Sequence, residues 1–214
     1  MGRLLGPALR AAPGSGRNLR RSLRSALIED AFELAGRHVT LLRPPNADEL
    51  IDEDAFDDDE FLPYWAELWR SGVALAEVVS ALDVRDLRVL ELGAGLGLPS
   101  LAAALRGAKV LATDWAEDAV ALLRANAKRN SIKLRVKRVR WDAPEALLRE
   151  APWELVFGAD LLYEERNAAQ LLELLPQLGG KIIIADPGRP FAKDFFARWR
   201  VETLADGVYG LRLP

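Results

Sequence analysis

The stretch Val89-Leu90-Glu91-Leu92-Gly93-Ala94-Gly95-Leu96-Gly97 narrows the possible folds more than any other part of the chain. It reads as a short apolar strand that ends in alternate glycines and runs into a helix. Glycines there let the backbone come close to a ligand, and the first turn of the helix presents N–H groups that no helical carbonyl can satisfy. A dinucleotide loop needs G-x-G-x-x-G, but here the third glycine comes one residue early. Leu98 and Ser100 stand where a pyrophosphate loop wants glycine, and Glu91 at the head of the motif is unsuited to two adjacent phosphates. An acid in that place suits a cationic ligand instead.

Around the loop, strands and helices alternate. Segments 88–92, 109–113, 134–140, 154–158 and 181–185 read as short strands, and 66–82, 98–106, 117–129, 144–150, 164–178 and a stretch near 191–199 carry helical spacing. The tail, 201–205 and 208–213 around Asp206-Gly207, reads as a hairpin, since an Asp-Gly pair supplies the positive φ angles of a tight turn. The expectation is an α/β fold: a Rossmann-like, mainly parallel seven-stranded sheet with helices on both faces and a C-terminal antiparallel hairpin.

Upstream, residues 1–18 are rich in Gly, Pro and Arg and predict a mobile arm. Residues 19–62 form a lead-in segment, helical across 19–34, with a strand over 37–42 before Pro44-Pro45. An acidic run from Asp48 to Glu60 follows and predicts a solvated loop or helix face. The expected division is therefore a basic arm and acidic lid segment over 1–62, and one α/β domain over 63–214. Arg3, Arg10, Arg17, Arg20, Arg21 and Arg24, with no acid among them, look like a mitochondrial transit peptide. The competing reading is a basic arm on a cytoplasmic, bacterial-type protein, which matches the use of arginine over lysine along the whole chain.

The 214 residues, 50% of them apolar, are ample for one buried core. With no cysteine and His38 as the single histidine, thiolate zinc sites, Ser-His-Asp and Cys-His catalysis drop out, and no metal is expected. A net charge of −3 does not favour a nucleic-acid partner. No apolar run reaches the length of a membrane span. Chemistry must then come from carboxylates, tyrosine, backbone and a bound cofactor.

Asp114 closes the second strand of the domain, where a carboxylate either accepts from ribose hydroxyls or caps the next helix. Trp115 beside it can flank an adenine. Trp141-Asp142 end the third strand, and Asp142 has the same two readings, adenine amino group or helix cap. All of these fall beyond the carboxyl ends of strands, where open α/β sheets bind ligands.

Three further motifs stand in order along the chain. They are Pro63-Tyr64-Trp65-Ala66-Glu67-Leu68-Trp69 followed by Ser71-Gly72-Val73-Ala74-Leu75-Ala76, then Asp160-Leu161-Leu162-Tyr163, then Asp186-Pro187-Gly188-Arg189-Pro190. With the glycine loop, over roughly residues 60–200, they resemble the seven-β-strand methyltransferases and, within these, methyltransferase family 16, whose members include protein-lysine methyltransferases. The resemblance implies S-adenosylmethionine as cofactor. Glu91, Gly93 and Gly95 would cradle its methionine part and Gly97 complete the loop. Asp114 would hold the ribose and Asp142 the adenine, with Trp115 and Trp141 beside them at the cofactor and Trp69 closing over it. For Trp65 and Trp69 plain packing of an amphipathic helix is the competing reading. The resemblance also implies that Asp160 and Tyr163 face the acceptor amine and that Asp186 lines the acceptor side.

The implied activity is N-methylation of a lysine side chain on a protein. Two other readings stay open: a small-molecule N-methyltransferase using 19–62 as a lid over the substrate, and a silent binding module that keeps the fold. Transfer from a sulfonium is an in-line displacement of an activated methyl group, so the protein mainly positions and desolvates. A lysine acceptor, with an ordinary pKa of about 10.4, must first lose its proton, and a carboxylate beside it tightens its hold on that proton. Asp160 is thus expected to dock and orient the amine rather than act as a strong general base, with Tyr163 as a polar wall.

Overall fold

A computed structural model of the chain describes residues 27–47, 50 and 63–214. Two strands lead in, β1 (Ile28–Leu34) and β2 (Arg37–Arg43), and a 3-10 turn, Tyr64–Ala66, precedes α1 (Arg70–Ala81). Then come β3 (Arg88–Glu91), α2 (Leu98–Leu105), β4 (Lys109–Asp114), α3 (Glu117–Arg129), β5 (Arg135–Arg138) and α4 (Glu145–Leu148). The chain finishes with β6 (Leu155–Ala159), α5 (Glu165–Leu178), β7 (Lys181–Ala185), α6 (Ala192–Phe196), β8 (Arg200–Ala205) and β9 (Val208–Arg212).

Seven strands form one sheet in the order β5-β4-β3-β6-β7-β9-β8. Strands β3 to β7 pair in parallel, while β9 runs antiparallel to both β7 and β8, as the tail hairpin predicts. The chain steps outward from β3 to β4 and β5, then returns past β3 to β6 and β7. That reversal opens a crevice beyond the carboxyl ends of β3 and β6, the place where such sheets take ligands.

The central strands are apolar on both faces because helices cover both. Val89, Val110, Leu155, Phe157 and Ile183 pack into one layer with Leu75 of α1, Leu101 of α2 and Leu122 of α3. Their neighbours Leu90, Leu111, Val156, Ile182 and Ile184 pack into the other with Leu147 of α4, Leu171 of α5 and Phe195 of α6.

Two expectations about helices need correction. The helix read over 66–82 begins only at Arg70; Glu67 is extended, and Trp69 caps α1 with φ −72 and ψ 139. Apolar spacing carries across the break because Trp65 and Trp69 face the crevice rather than completing a helical stripe. In the lead-in, Ile28–Leu34 is a strand, not the end of a helix, paired antiparallel with Arg37–Arg43 from Ile28↔Arg43 to Leu34↔Arg37. Burial there alternates through Asp30, Phe32 and Leu34, a period of two that the acid disguises. The strand expected over 37–42 is present and stops at Arg43, next to Pro44.

This hairpin is fastened to α3 by two asparagines one helical turn apart. Asn130 accepts from the Thr40 N–H at 2.8 Å and donates to its carbonyl at 2.7 Å. Asn126 accepts from the Leu42 N–H at 2.7 Å and donates to the Leu42 and Leu96 carbonyls at 3.1 Å each. Together they imitate the edge of a neighbouring strand. The arm 1–18, the first part of the lead-in and, apart from Leu50, the acidic run from Asp48 to Glu60 lie outside the described residues. Among the described residues no helix is long and apolar enough to cross a membrane, and no group of three or more His, Cys, Asp or Glu side chains is placed to hold a metal.

Candidate functional site

A cavity of about 460 Å³ fills the crevice. It gathers Trp69, Gly93, Gly95, Gly97, Asp114, Trp115, Trp141, Asp142, Asp160 and Tyr163, so every expected residue but Glu91 and Asp186 lines it. Tyr64, Trp65, Arg140 and Arg189 line it as well. None of the described residues before Tyr64 does, because the β1–β2 hairpin packs on α3 instead of arching over the opening. The lid expected from 19–62 therefore finds no place among the described part of that segment.

At the cofactor end, the loop after β3 is tied to the end of β4. The Gly95 N–H donates to Asp114 Oδ2 at 2.9 Å, and the Ala116 N–H donates to Oδ1 at 2.9 Å. Asp114 is not the cap of α3; Ala116 holds that position. A carboxylate has about four acceptor sites, so two bonds leave capacity for hydroxyls on a ligand. Gly95 has a φ of +50, and a Cβ there would meet the Trp65 carbonyl at 3.0 Å, which is why the 64–66 turn can sit directly on the loop. Gly97, the αL cap of α2 at φ +83, has no room either: a Cβ would fall 2.2 Å from Leu123 Cδ2.

Glu91 lies behind the loop and is only 2% exposed. Burial pushes its carboxyl up to about 8, against a smaller opposing pull from neighbouring Ser100. Its Oε2 has no hydrogen-bond partner, and neither does the Ser100 hydroxyl. A buried carboxyl with one oxygen unpartnered, under a glycine loop, fits the cationic methionine end of S-adenosylmethionine better than it fits a phosphate. On the far side, Asp142 is gripped by Arg140 through Nε at 3.0 Å and Nη2 at 2.9 Å, and this pairing holds its carboxyl below the usual range. It does not cap α4, whose cap is Pro144. The Trp141 ring approaches within 3.5 Å of where a Cβ on Gly93 would stand, so an indole borders the loop.

At the other end, Asp160 follows β6 directly and adopts a left-handed φ of +59. It is buried, and both oxygens are engaged: Oδ1 accepts from Arg189 Nε at 2.6 Å and Oδ2 from the Ser71 hydroxyl at 2.7 Å. Beside it the Tyr163 ring meets Tyr64 edge-on at 5.3 Å, and the Trp69 indole N–H donates to the Tyr64 carbonyl at 2.9 Å. Burial pushes the Tyr163 phenol up.

Asp186 is 1% exposed and does not line the cavity. Its Oδ1 accepts from the N–H groups of Gly188 and Arg189, both at 2.8 Å, so it shapes the loop that carries Arg189 instead of facing the acceptor. Sequence reasoning gave no role to Ser71 or Arg189, although both lie inside motifs it singled out. Nothing in the order of residues announces that positions 89 apart share a hydrogen bond.

Residues 61–196 match the model of a family described as lysine methyltransferase. The electron transfer flavoprotein beta subunit lysine methyltransferase of Xenopus laevis is 36% identical over 137 residues, which are 59% of this chain and 53% of that protein. The protein N-lysine methyltransferase METTL21A of Danio rerio is 36% identical over 120 residues, 53% of this chain and 55% of that protein. The chain thus spans about half the length of the curated relatives it matches. In fold it is similar to the T. thermophilus 16S rRNA N2 G1207 methyltransferase solved with AdoMet and guanosine, with a TM-score of 0.63 at 19% identity over 87% of this chain and 50% of that one.

Proposed function

The chain belongs to the lysine methyltransferase family, and on that premise we propose that it is an S-adenosylmethionine-dependent N-methyltransferase acting on lysine side chains of a protein. The observation that carries this reading is one cavity with two differently built acidic ends. Asp114, tied to the glycine loop, lines one end with the buried Glu91 behind that loop, and Asp160 lines the other beside Tyr163 and Tyr64. When bound, S-adenosylmethionine supplies a methyl group already activated on a sulfonium.

The chain's own residues then bind, orient and exclude water. Glu91 with Gly93, Gly95 and Gly97 holds the cationic methionine end. Asp114 accepts from the ribose hydroxyls while it secures Gly95. Asp142, Trp115 and Trp141 frame the adenine, and Trp69 covers the cofactor from the turn before α1. Asp160 draws in and orients the acceptor amine, and Tyr163 with Tyr64 walls it off from water. With no histidine lining the cavity, the catalytic gain comes from placement of the reacting groups.

A protein acceptor is favoured over a small amine because the matching family is described as lysine methyltransferase and the relatives named above are protein-lysine methyltransferases. Location in the cytoplasm is proposed on the chain-wide preference for arginine over lysine. The test is label transfer from S-adenosylmethionine carrying a radioactive methyl group into a cell extract. Acid-stable label recovered as methyl-lysine, and lost with Asp114→Ala, supports the proposal. Label confined to small molecules overturns the protein-lysine reading, and no binding of S-adenosylmethionine in a titration overturns the methyltransferase reading altogether.

A further inference from the structure

Asp160 does not meet the cavity as a bare carboxylate. Arg189 reaches it from the loop after β7 and Ser71 from the first turn of α1, at 2.6 Å and 2.7 Å. The Arg189 guanidinium also lies 5.2 Å from the centre of the Trp69 ring, within cation–π range, and lines the same cavity. Its backbone is anchored in turn by Asp186 Oδ1, which accepts its N–H at 2.8 Å. The side chain read as the dock for an amine therefore already holds a fixed cation.

That arrangement bears on the hardest requirement of the proposed reaction. A lone carboxylate attracts an ammonium and raises its pKa, whereas methyl transfer needs the neutral amine. A guanidinium, always charged, acts in the opposite sense from the same place. The other titratable groups facing this seat are Asp186 behind Asp160, Tyr64 and Tyr163 in the wall, Glu67 before α1, and Glu164 with Arg166 at the start of α5, paired at 2.5 Å. Arg189 is the charged group that bonds Asp160 directly, at 2.6 Å.

We infer, on the strength of the lysine-methyltransferase reading, that Arg189 is a positioning residue whose bond to Asp160 offsets the docking carboxylate and so favours the uncharged form of the acceptor amine. The step it governs is loss of one proton from the acceptor ammonium to water. The freed nitrogen lone pair then takes the methyl group as the carbon–sulfur bond breaks, its electrons remaining on sulfur. Ser71 holds the other carboxylate oxygen while the guanidinium counters its field.

The experiment is a single-turnover rate against pH, from about 6.5 to 10, with enzyme in excess. The acceptor is the extract protein fraction that the wild-type chain labels. Arg189→Gln keeps a donor near Asp160 but removes the charge. Its midpoint is expected about one pH unit higher, with rates about tenfold lower well below the midpoint and equal to wild type above it. Arg189→Lys is expected to keep the wild-type midpoint. A loss by the same factor at every pH, an unchanged profile for Arg189→Gln, or a midpoint in Arg189→Lys moved as far as in Arg189→Gln overturns the inference and leaves the methyltransferase reading intact. S-adenosylmethionine titration of each variant checks folding, and if Arg189→Gln fails it, Arg189→Met carries the same readout. No labelled protein with the wild-type chain overturns the inference together with the proposed function.

Discussion

The Gly95 N–H donates to Asp114 Oδ2 at 2.9 Å, so the tip of the loop that leaves β3 is held by the last residue of β4. The same carboxylate fastens the Ala116 N–H at the start of α3. One side chain thus sets the floor of the cavity and lines it too.

Asp114→Asn puts an amide NH2 against one of these two N–H donors. The expected cost is about 1–3 kcal/mol of stability from the unpaired groups. S-adenosylmethionine affinity should fall by about tenfold or more, since each 1.4 kcal/mol of lost binding is a factor of ten. Thermal melts and calorimetric titration read the two effects separately; a lowered melting temperature with undiminished affinity would leave Asp114 a purely structural tie.

Asparagine tolerates the left-handed conformation that Asp160 adopts at φ +59, so Asp160→Asn removes charge without forcing the backbone. Transfer should fall by about a hundredfold, the scale of misplacing one reacting group, while cofactor affinity stays within about threefold of wild type, or under about 1 kcal/mol. Rate assays beside a cofactor titration decide it, and equal loss of both would remove Asp160 from the acceptor end.

Glu91 predicts a pH dependence of stability in the cofactor-free protein. Its folded-state pKa is raised from 4.5 to about 8, so between those values the folded chain holds a proton that the unfolded chain has released. Stability should therefore fall as pH rises through that window, and the loss is complete above the folded value. Glu91→Gln removes the effect. The variant should match wild type near pH 5 and exceed it by a few kcal/mol near pH 8.5. Denaturant melts at several pH values test this, and a variant that tracks wild type throughout would show that Glu91 is ionised in the free protein. Binding of a cationic ligand near neutral pH should also release a proton, visible as buffer-dependent heat.

Asn126 is fully buried and bonds both the Leu42 backbone and the Leu96 carbonyl of the glycine loop. Asn126→Ala strips three hydrogen bonds and should cost about 2–4 kcal/mol. Hydrogen exchange should speed up first at Leu42, with a smaller change in the loop after β3. If exchange at Leu42 is unaltered, the hairpin is held by other contacts.

How far the residue order reveals this fold and its cavity follows from the range of the interactions. The α/β alternation, the glycine loop, α3 over 117–129, β7 over 181–185 and the closing hairpin were legible, because local periodicity and turn chemistry dictate them. The placement of Asp114 at the end of β4 and of Asp160 just after β6 was legible for the same reason, whereas β5 stops at Arg138 and Asp142 follows four residues later. The β1 strand and the break before Arg70 were not, since what decides them is packing against partners distant in sequence: Arg37–Arg43 for β1 and the glycine loop for the Tyr64–Ala66 turn. Least visible of all were the Ser71–Asp160–Arg189 bonds and the retreat of Asp186 behind them. A charged side chain's partner is set by which loops the sheet brings together, and residue types alone do not encode a distance.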